Sequence, residues 1–111
     1  MINASLKQLS QALGAKQISS VELTELFLDR IKRFNPLLNA FVTVDPEKSL
    51  NSARAADARI ATGTAGPLTG IPIAQKDIFC AEGWRTTCGS KMLSNFVSPY
   101  DATVIRKMES E

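Results

Sequence analysis

The chain has 111 residues, 44% of them hydrophobic and 22% charged, with a formal net charge of +2. This is the balance of an ordinary soluble globular domain, and a chain of this length can bury roughly 65% of its unfolded surface. The basic residues are scattered among the acidic ones, which leaves neither an electrostatic footprint for nucleic acid nor a basic face for a membrane. The sequence contains no His and only Cys80 and Cys88, so neither a Cys/His zinc site nor a Cys–His nucleophile pair can be assembled, and no metal is expected. The two cysteines read as small, buried, reduced thiols, with a disulfide between them as the alternative. The start, Met1-Ile2-Asn3-Ala4-Ser5-Leu6, has no basic segment followed by an apolar one, and no apolar run is long enough to span a bilayer. A cytoplasmic location without membrane attachment is therefore expected.

The first part of the chain, 1–63, reads as mainly helical. Leu6, Leu9 and Leu13 recur at helical spacing and Gly14 supplies a stop. Ser19-Ser20-Val21-Glu22 has the capping-box pattern, in which the serine hydroxyl accepts from the backbone three residues on and the glutamate reaches back. Leu23, Phe27, Ile31 and Phe34 follow as one apolar stripe, expected to break at Asn35-Pro36. Ala40 to Val44 reads as a short strand or an extended link. Asp45-Pro46-Glu47 starts another helix by the cap-then-proline rule, with Leu50, Ala53, Ala56 and Ile60 on one side and Gly63 as its end.

The part covering 64–111 changes character. Gly63, Gly66, Pro67 and Gly70 mark a loop. Ile71 to Phe79 is a short apolar run, read as a buried strand that carries the pair Lys76-Asp77. The Gly83 to Asn95 segment is loop-like. Asp101 is placed as the cap of a last helix with Val104, Ile105 and Met108 on one face, running to Glu111 without a closing glycine. Helices followed by a buried strand indicate an α/β fold, with Glu111 read as a partial end of the pattern.

Several strings in this order resemble one known family. Gly66-Pro67-Leu68-Thr69-Gly70-Ile71-Pro72-Ile73-Ala74-Gln75-Lys76-Asp77 is similar to the lysine-bearing segment of the amidase signature family. Within that family, the segments 18–24, 37–42, 55–60, 85–93 and 99–104 resemble the A-subunit branch of the tRNA-dependent amidotransferases. Each string alone is weak, but together they cover essentially the whole chain at natural spacing. The resemblance implies the N-terminal portion of a single larger amidase domain, helices followed by the first strands of a mixed β-sheet. It also implies a Ser–Ser–Lys catalytic triad in which Lys76 is the lysine and both serines lie beyond Glu111. On this reading the fragment alone is inactive. Gln75 and Ile78 depart from the family pattern, where an aliphatic residue and Asn are frequent.

The chemistry gives a reason for a lysine in an apolar run. To relay protons between two hydroxyls a lysine must be neutral for part of the cycle, and its ordinary pKa is about 10.4. Burial disfavours the ammonium, and Ile71, Ile73 and Phe79 are the expected apolar wall. Without the resemblance, Lys76-Asp77 reads as a solvated surface pair. Asp77 is expected to hold its loop by hydrogen bonds, Gly70 and Pro72 to shape the backbone, and Trp84 and Arg85 to pack rather than meet a partner.

The resemblance implies glutamine hydrolysis that supplies ammonia for the ATP-dependent conversion of misacylated Glu-tRNA(Gln), with Asp-tRNA(Asn) left open as a second substrate. The implied partners are B and C subunits, the B subunit holding the tRNA. No cofactor is expected on this segment, since ATP and magnesium would be used through the partner subunit. Two alternatives stand beside this reading. One is an amidase-signature hydrolase of a small or fatty amide, independent of tRNA. The other is a free-standing interaction module, against which the uncapped last helix argues.

Overall fold

The computed structural model describes residues 1–111 and divides the chain into two compact units, Met1–Ile73 and Ala74–Glu111. The first unit holds α1 (Leu6–Gly14), α2 (Ser20–Leu38) and α3 (Pro46–Thr62), and the second holds α4 (Thr103–Glu109). No helix is long and apolar enough to cross a membrane.

In the first unit, Leu9 and Leu13 of α1 meet Leu23 of α2, and Leu23 is 0% exposed. Ala4, Ile18, Phe27, Ile60 and Ile71 pack around these three, while Leu6 is exposed and takes no part. α1 begins with a capping box of its own, Ser5 with Gln8.

The start of α2 accounts for every donor a helix leaves open in its first turn. Ser19 and Glu22 form the expected capping box, with the Ser19 amide donating to Glu22 at 2.8 Å and the Glu22 amide donating to the Ser19 hydroxyl at 3.1 Å. The Ser19 amide and the Ser19 hydroxyl, which also donates to the carboxylate at 2.8 Å, hold the Glu22 carboxyl below its ordinary range. The two amides between them are taken by Asp57 of α3, Ser20 at 2.7 Å and Val21 at 3.1 Å. A carboxylate at this end also opposes the positive pole of the helix. The Ser20 hydroxyl, buried under this cap, donates to the Gly70 carbonyl at 2.8 Å. Gly70 has φ +86, and a Cβ there would lie 3.1 Å from Ser20 Cβ, so both backbone and space require glycine.

Because Asp57 serves two amides of one helix from another, Asp57→Ala is expected to weaken the α2 start by about 1.5–3 kcal/mol, the range for hydrogen bonds to a charged group. Hydrogen exchange at Ser20 and Val21 in the full-length protein would read this as a loss of protection of at least about tenfold, roughly 1.4 kcal/mol. Unchanged protection would show that the cap is solvent-replaceable.

Four expectations are corrected by the fold, and one left open is decided. α2 does not break at Asn35-Pro36 but runs to Leu38 with Pro36 inside it, closing at Asn39 in the left-handed region (φ 48). A proline so near the end interrupts little, and Asn tolerates that closing conformation. Of the two readings of Ala40 to Val44 the link is the one that stands, since the Asn35 side chain supplies both pairing partners of Phe41, accepting its N–H at 2.8 Å and donating to its carbonyl at 3.0 Å. The Ile71–Phe79 strand is absent. Residues 71–76 join no ladder, and the chain then turns, with the Phe79 amide donating to the Lys76 carbonyl at 3.1 Å. A strand is completed only by a neighbour, and no segment of this chain pairs with it. Asp101 does not cap α4. The N-cap position is Ala102, without a side-chain bond, and the Asp101 carboxylate instead accepts the Glu82 amide at 2.6 Å. The cysteines are free but not buried, Cys80 being half-buried and Cys88 exposed. The helix starts at Pro46, capped by Asp45, and the end at Gly63 (φ 74) stand as read.

Candidate functional site

Lys76 sits near the start of the second unit, on the turn that ends at Phe79. The Gln75 side-chain amide donates to the Phe79 carbonyl at 3.0 Å and braces the same turn from the other side. Lys76 is exposed, as are Ile73 and Phe79, while Ile71 belongs to the helical core. Phe79, at the end of the same turn, is itself exposed and gives the lysine no enclosed apolar surface.

The residue after Lys76 is held firmly. The Asp77 carboxylate accepts the Thr87 amide at 2.8 Å and also the Thr87 hydroxyl, while the Asp77 carbonyl accepts the Cys88 amide at 2.9 Å. The Gly89 amide donates to the Thr87 hydroxyl at 3.2 Å. Cys88 and Gly89 both lie in the left-handed region, φ 51 and φ 67. The turn thereby directs the N–H groups of Thr87 and Cys88 to Asp77 and that of Gly89 to the Thr87 hydroxyl. Burial pulls the Asp77 carboxyl upward, but hydrogen bonds from the Thr87 side chain, the Thr87 amide and the Gly89 amide outweigh it and leave the group below its ordinary range. A carboxyl depressed in the fold contributes stability above its unfolded pKa, near 3.9, and that contribution is lost as pH falls through the lower folded value.

The left-handed turn also explains Cys88, whose side chain it directs into solvent. Beneath the turn, Thr86 and Thr87 are 3% and 5% exposed. Arg85 and Val97 form an antiparallel bridge, flanked by Thr86 N–H to Phe96 carbonyl at 3.0 Å and Ser98 N–H to Trp84 carbonyl at 3.0 Å. Trp84 is half-buried and Arg85 exposed. Farther along, the Cys80 thiol donates to the Tyr100 hydroxyl at 3.6 Å, and that contact pushes the phenol upward. Burial, with Asp101 and Glu82 nearby, pushes the Glu109 carboxyl upward.

The structure thus joins Asp77 to the 87–89 turn, as its expected loop-holding role requires. The partner, Thr87, was not identified from sequence. The available signal is Thr87-Cys88-Gly89 itself, a hydroxyl two residues before a glycine that permits a tight turn. Asp57 was likewise missed, and no local pattern marks it, since its partners lie 37 and 36 residues away.

Comparison with known proteins decides the family. The Amidase family profile matches residues 22–111. The chain belongs to the Amidase family. Among members of known kind, it is 82% identical over all of its 111 residues to the A-subunit of the glutamyl-tRNA(Gln) amidotransferase of Dechloromonas aromatica, and covers 23% of that protein. It is 66% identical to the corresponding protein of Methylobacillus flagellatus over 99% of this chain and 22% of the relative. It is 69% identical to that of Nitrosomonas europaea over 98% of this chain and 22% of the relative. The chain therefore spans between a fifth and a quarter of the length of these Amidase relatives.

Proposed function

We propose that this chain is part of the glutamine-hydrolysing component of a tRNA-dependent amidotransferase. The observation that carries the reading is the 82% identity, over all 111 residues, to the A-subunit of a glutamyl-tRNA(Gln) amidotransferase. The 111 residues form one portion of a larger amidase domain, and residues 71–76 become a strand of a mixed sheet once the rest of the domain supplies neighbours. Lys76 is the lysine of a Ser–Ser–Lys triad whose serines the rest of the polypeptide provides.

In the reaction, neutral Lys76 takes a proton from the hydroxyl system and the nucleophilic serine oxygen attacks the side-chain amide carbon of glutamine. The C–N bond breaks as the nitrogen receives a proton and ammonia leaves. Water then hydrolyses the glutamyl ester and regenerates the serine. Backbone N–H groups beside the serine stabilise the oxyanion. Cover supplied by the remaining domain would favour the neutral amine that the relay uses. A B subunit would use ATP and magnesium to activate the misacylated Glu-tRNA(Gln), or Asp-tRNA(Asn), and receive the ammonia. A C subunit would complete the complex, in the cytoplasm.

The test is to purify the full-length protein with its partner subunits, then assay glutamate release from glutamine and ATP-dependent conversion of Glu-tRNA(Gln). Both activities are expected. Hydrolysis of simple aliphatic amides by the protein alone, with no turnover of glutamine, would instead support the tRNA-independent amidase reading.

A further inference from the structure

We propose that Asp77 and Thr87 are positioning residues for the reaction, a clamp that fixes the backbone carrying Lys76; the proposal rests on the reading of Lys76 as the triad lysine. The peptide joining Lys76 to Asp77 is a rigid plane with its Cα atoms about 3.8 Å apart. Locking residue 77 therefore leaves Lys76 little freedom beyond its own φ and ψ.

Residue 77 is locked through both its parts. Its carbonyl accepts the Cys88 amide at 2.9 Å, and its carboxylate takes the amide of Thr87 at 2.8 Å together with the Thr87 hydroxyl. Within the peptide that joins Lys76 to Asp77, the Lys76 carbonyl is itself held by the Phe79 amide at 3.1 Å. The far end of the clamp is anchored, since Thr86 and Thr87 are both buried and Thr86 is bonded to Phe96 at 3.0 Å.

Two features go beyond what a loop needs in order to hold its shape. Cys88 adopts φ 51, a conformation costly for a residue with a side chain, and the turn accepts that cost while aiming three successive amides toward Asp77 and the Thr87 hydroxyl. Both oxygens of Asp77 are also committed to Thr87. The carboxylate next to the lysine is thus engaged elsewhere and not offered to the lysine as a fixed ion-pair partner that would hold it protonated. Misplacing a reacting group by about 1 Å costs on the order of a hundredfold in rate, so loosening this clamp is expected to lower turnover more than substrate binding.

The experiment compares full-length Asp77→Ala, Thr87→Val and Thr87→Ser with Lys76→Ala in steady-state glutamine hydrolysis. Thr87→Val keeps the shape and removes the hydroxyl, whereas Thr87→Ser does the reverse. The expected result is a fall in kcat of about ten- to a hundredfold for Asp77→Ala and Thr87→Val, with KM within about threefold, and rescue of kcat to within about threefold in Thr87→Ser. If Asp77→Ala does not fold, the Thr87 pair decides. Undiminished kcat in Thr87→Val, beside an inactive Lys76→Ala, overturns the clamp and leaves the lysine assignment standing. So does a parallel loss in kcat and KM with Thr87→Ser no better than Thr87→Val, because that describes general loosening. An active Lys76→Ala overturns both the functional reading and the inference built on it.

Discussion

Replacing Lys76 with alanine in the full-length protein is expected to lower glutamine hydrolysis at least a thousandfold while leaving the protein folded. A thousandfold loss corresponds to about 4 kcal/mol of transition-state stabilisation, which is ordinary for a member of a triad whose parts act as a unit. Stability should change little, because Lys76 adds nothing to the core of these 111 residues and alanine places no charge under the part of the domain that covers it. Lys76→Arg separates charge from proton transfer. The guanidinium keeps the positive charge but does not deprotonate in proteins, so arginine should be as inactive as alanine if the lysine works as a base. Glutamate formation, followed alongside the thermal midpoint, gives the answer. More than about a tenth of wild-type turnover in Lys76→Ala would remove the lysine from the mechanism, as would substantial activity in Lys76→Arg.

The parts of the fold that were legible are those whose causes lie within a few residues. Ser19 and Glu22 are three apart, as are Asp45 and Lys48, and their hydrogen bonds form where the sequence places them. Gly63 ends α3 because a left-handed residue is needed there. What failed depends on distant partners. The carboxylate of Asp101 was available to cap the residues after it, but the Glu82 amide, 19 residues upstream, holds it at 2.6 Å. Whether Ile71 to Phe79 is a strand is not a property of those residues, since pairing is supplied by a neighbour and the apolar pattern records only that burial is intended. Pro36 shows the limit of a local rule: the missing N–H matters in the middle of a helix and little in its last turn, three residues before Asn39 closes it. At the candidate site the loop-holding role of Asp77 followed from turn chemistry. Lys76, by contrast, was singled out by resemblance, and its exposed turn would not have distinguished it from any surface lysine.

Produced alone, the 111-residue chain is expected to lack a cooperative unfolding transition in Ala74–Glu111, and to hold structure chiefly in its first unit. In the second unit the buried hydrophobic residues are Ala81 and Ile105. Burying an isoleucine contributes about 1.5–3 kcal/mol, while each ordered residue costs about 1–2 kcal/mol in backbone entropy. Ile78 and Val97 are half-exposed, and Phe79, Met92, Leu93, Phe96, Tyr100, Val104 and Met108 are exposed as well. α4 has seven residues, well below the roughly 12–15 that an isolated helix needs in water. A unit of under about 40 residues usually relies on disulfides, a metal or association, and both cysteines are free. The first unit is better placed, with Leu9, Leu13 and Leu23 in contact and its three helices capped by side chains. Hydrogen exchange on the purified chain should therefore show protected amides in α2 and α3. The hydrogen-bonded amides of Thr86, Cys88 and Ser98 should exchange within about tenfold of unstructured peptide, because opening of their unit costs little. The exposed apolar side chains should also drive association as concentration rises. A single sharp melt near about 60 °C, with Thr86, Cys88 and Ser98 as slow as α2, would show instead that the hydrogen bonds around Asp77 and Thr87 stabilise the second unit by themselves.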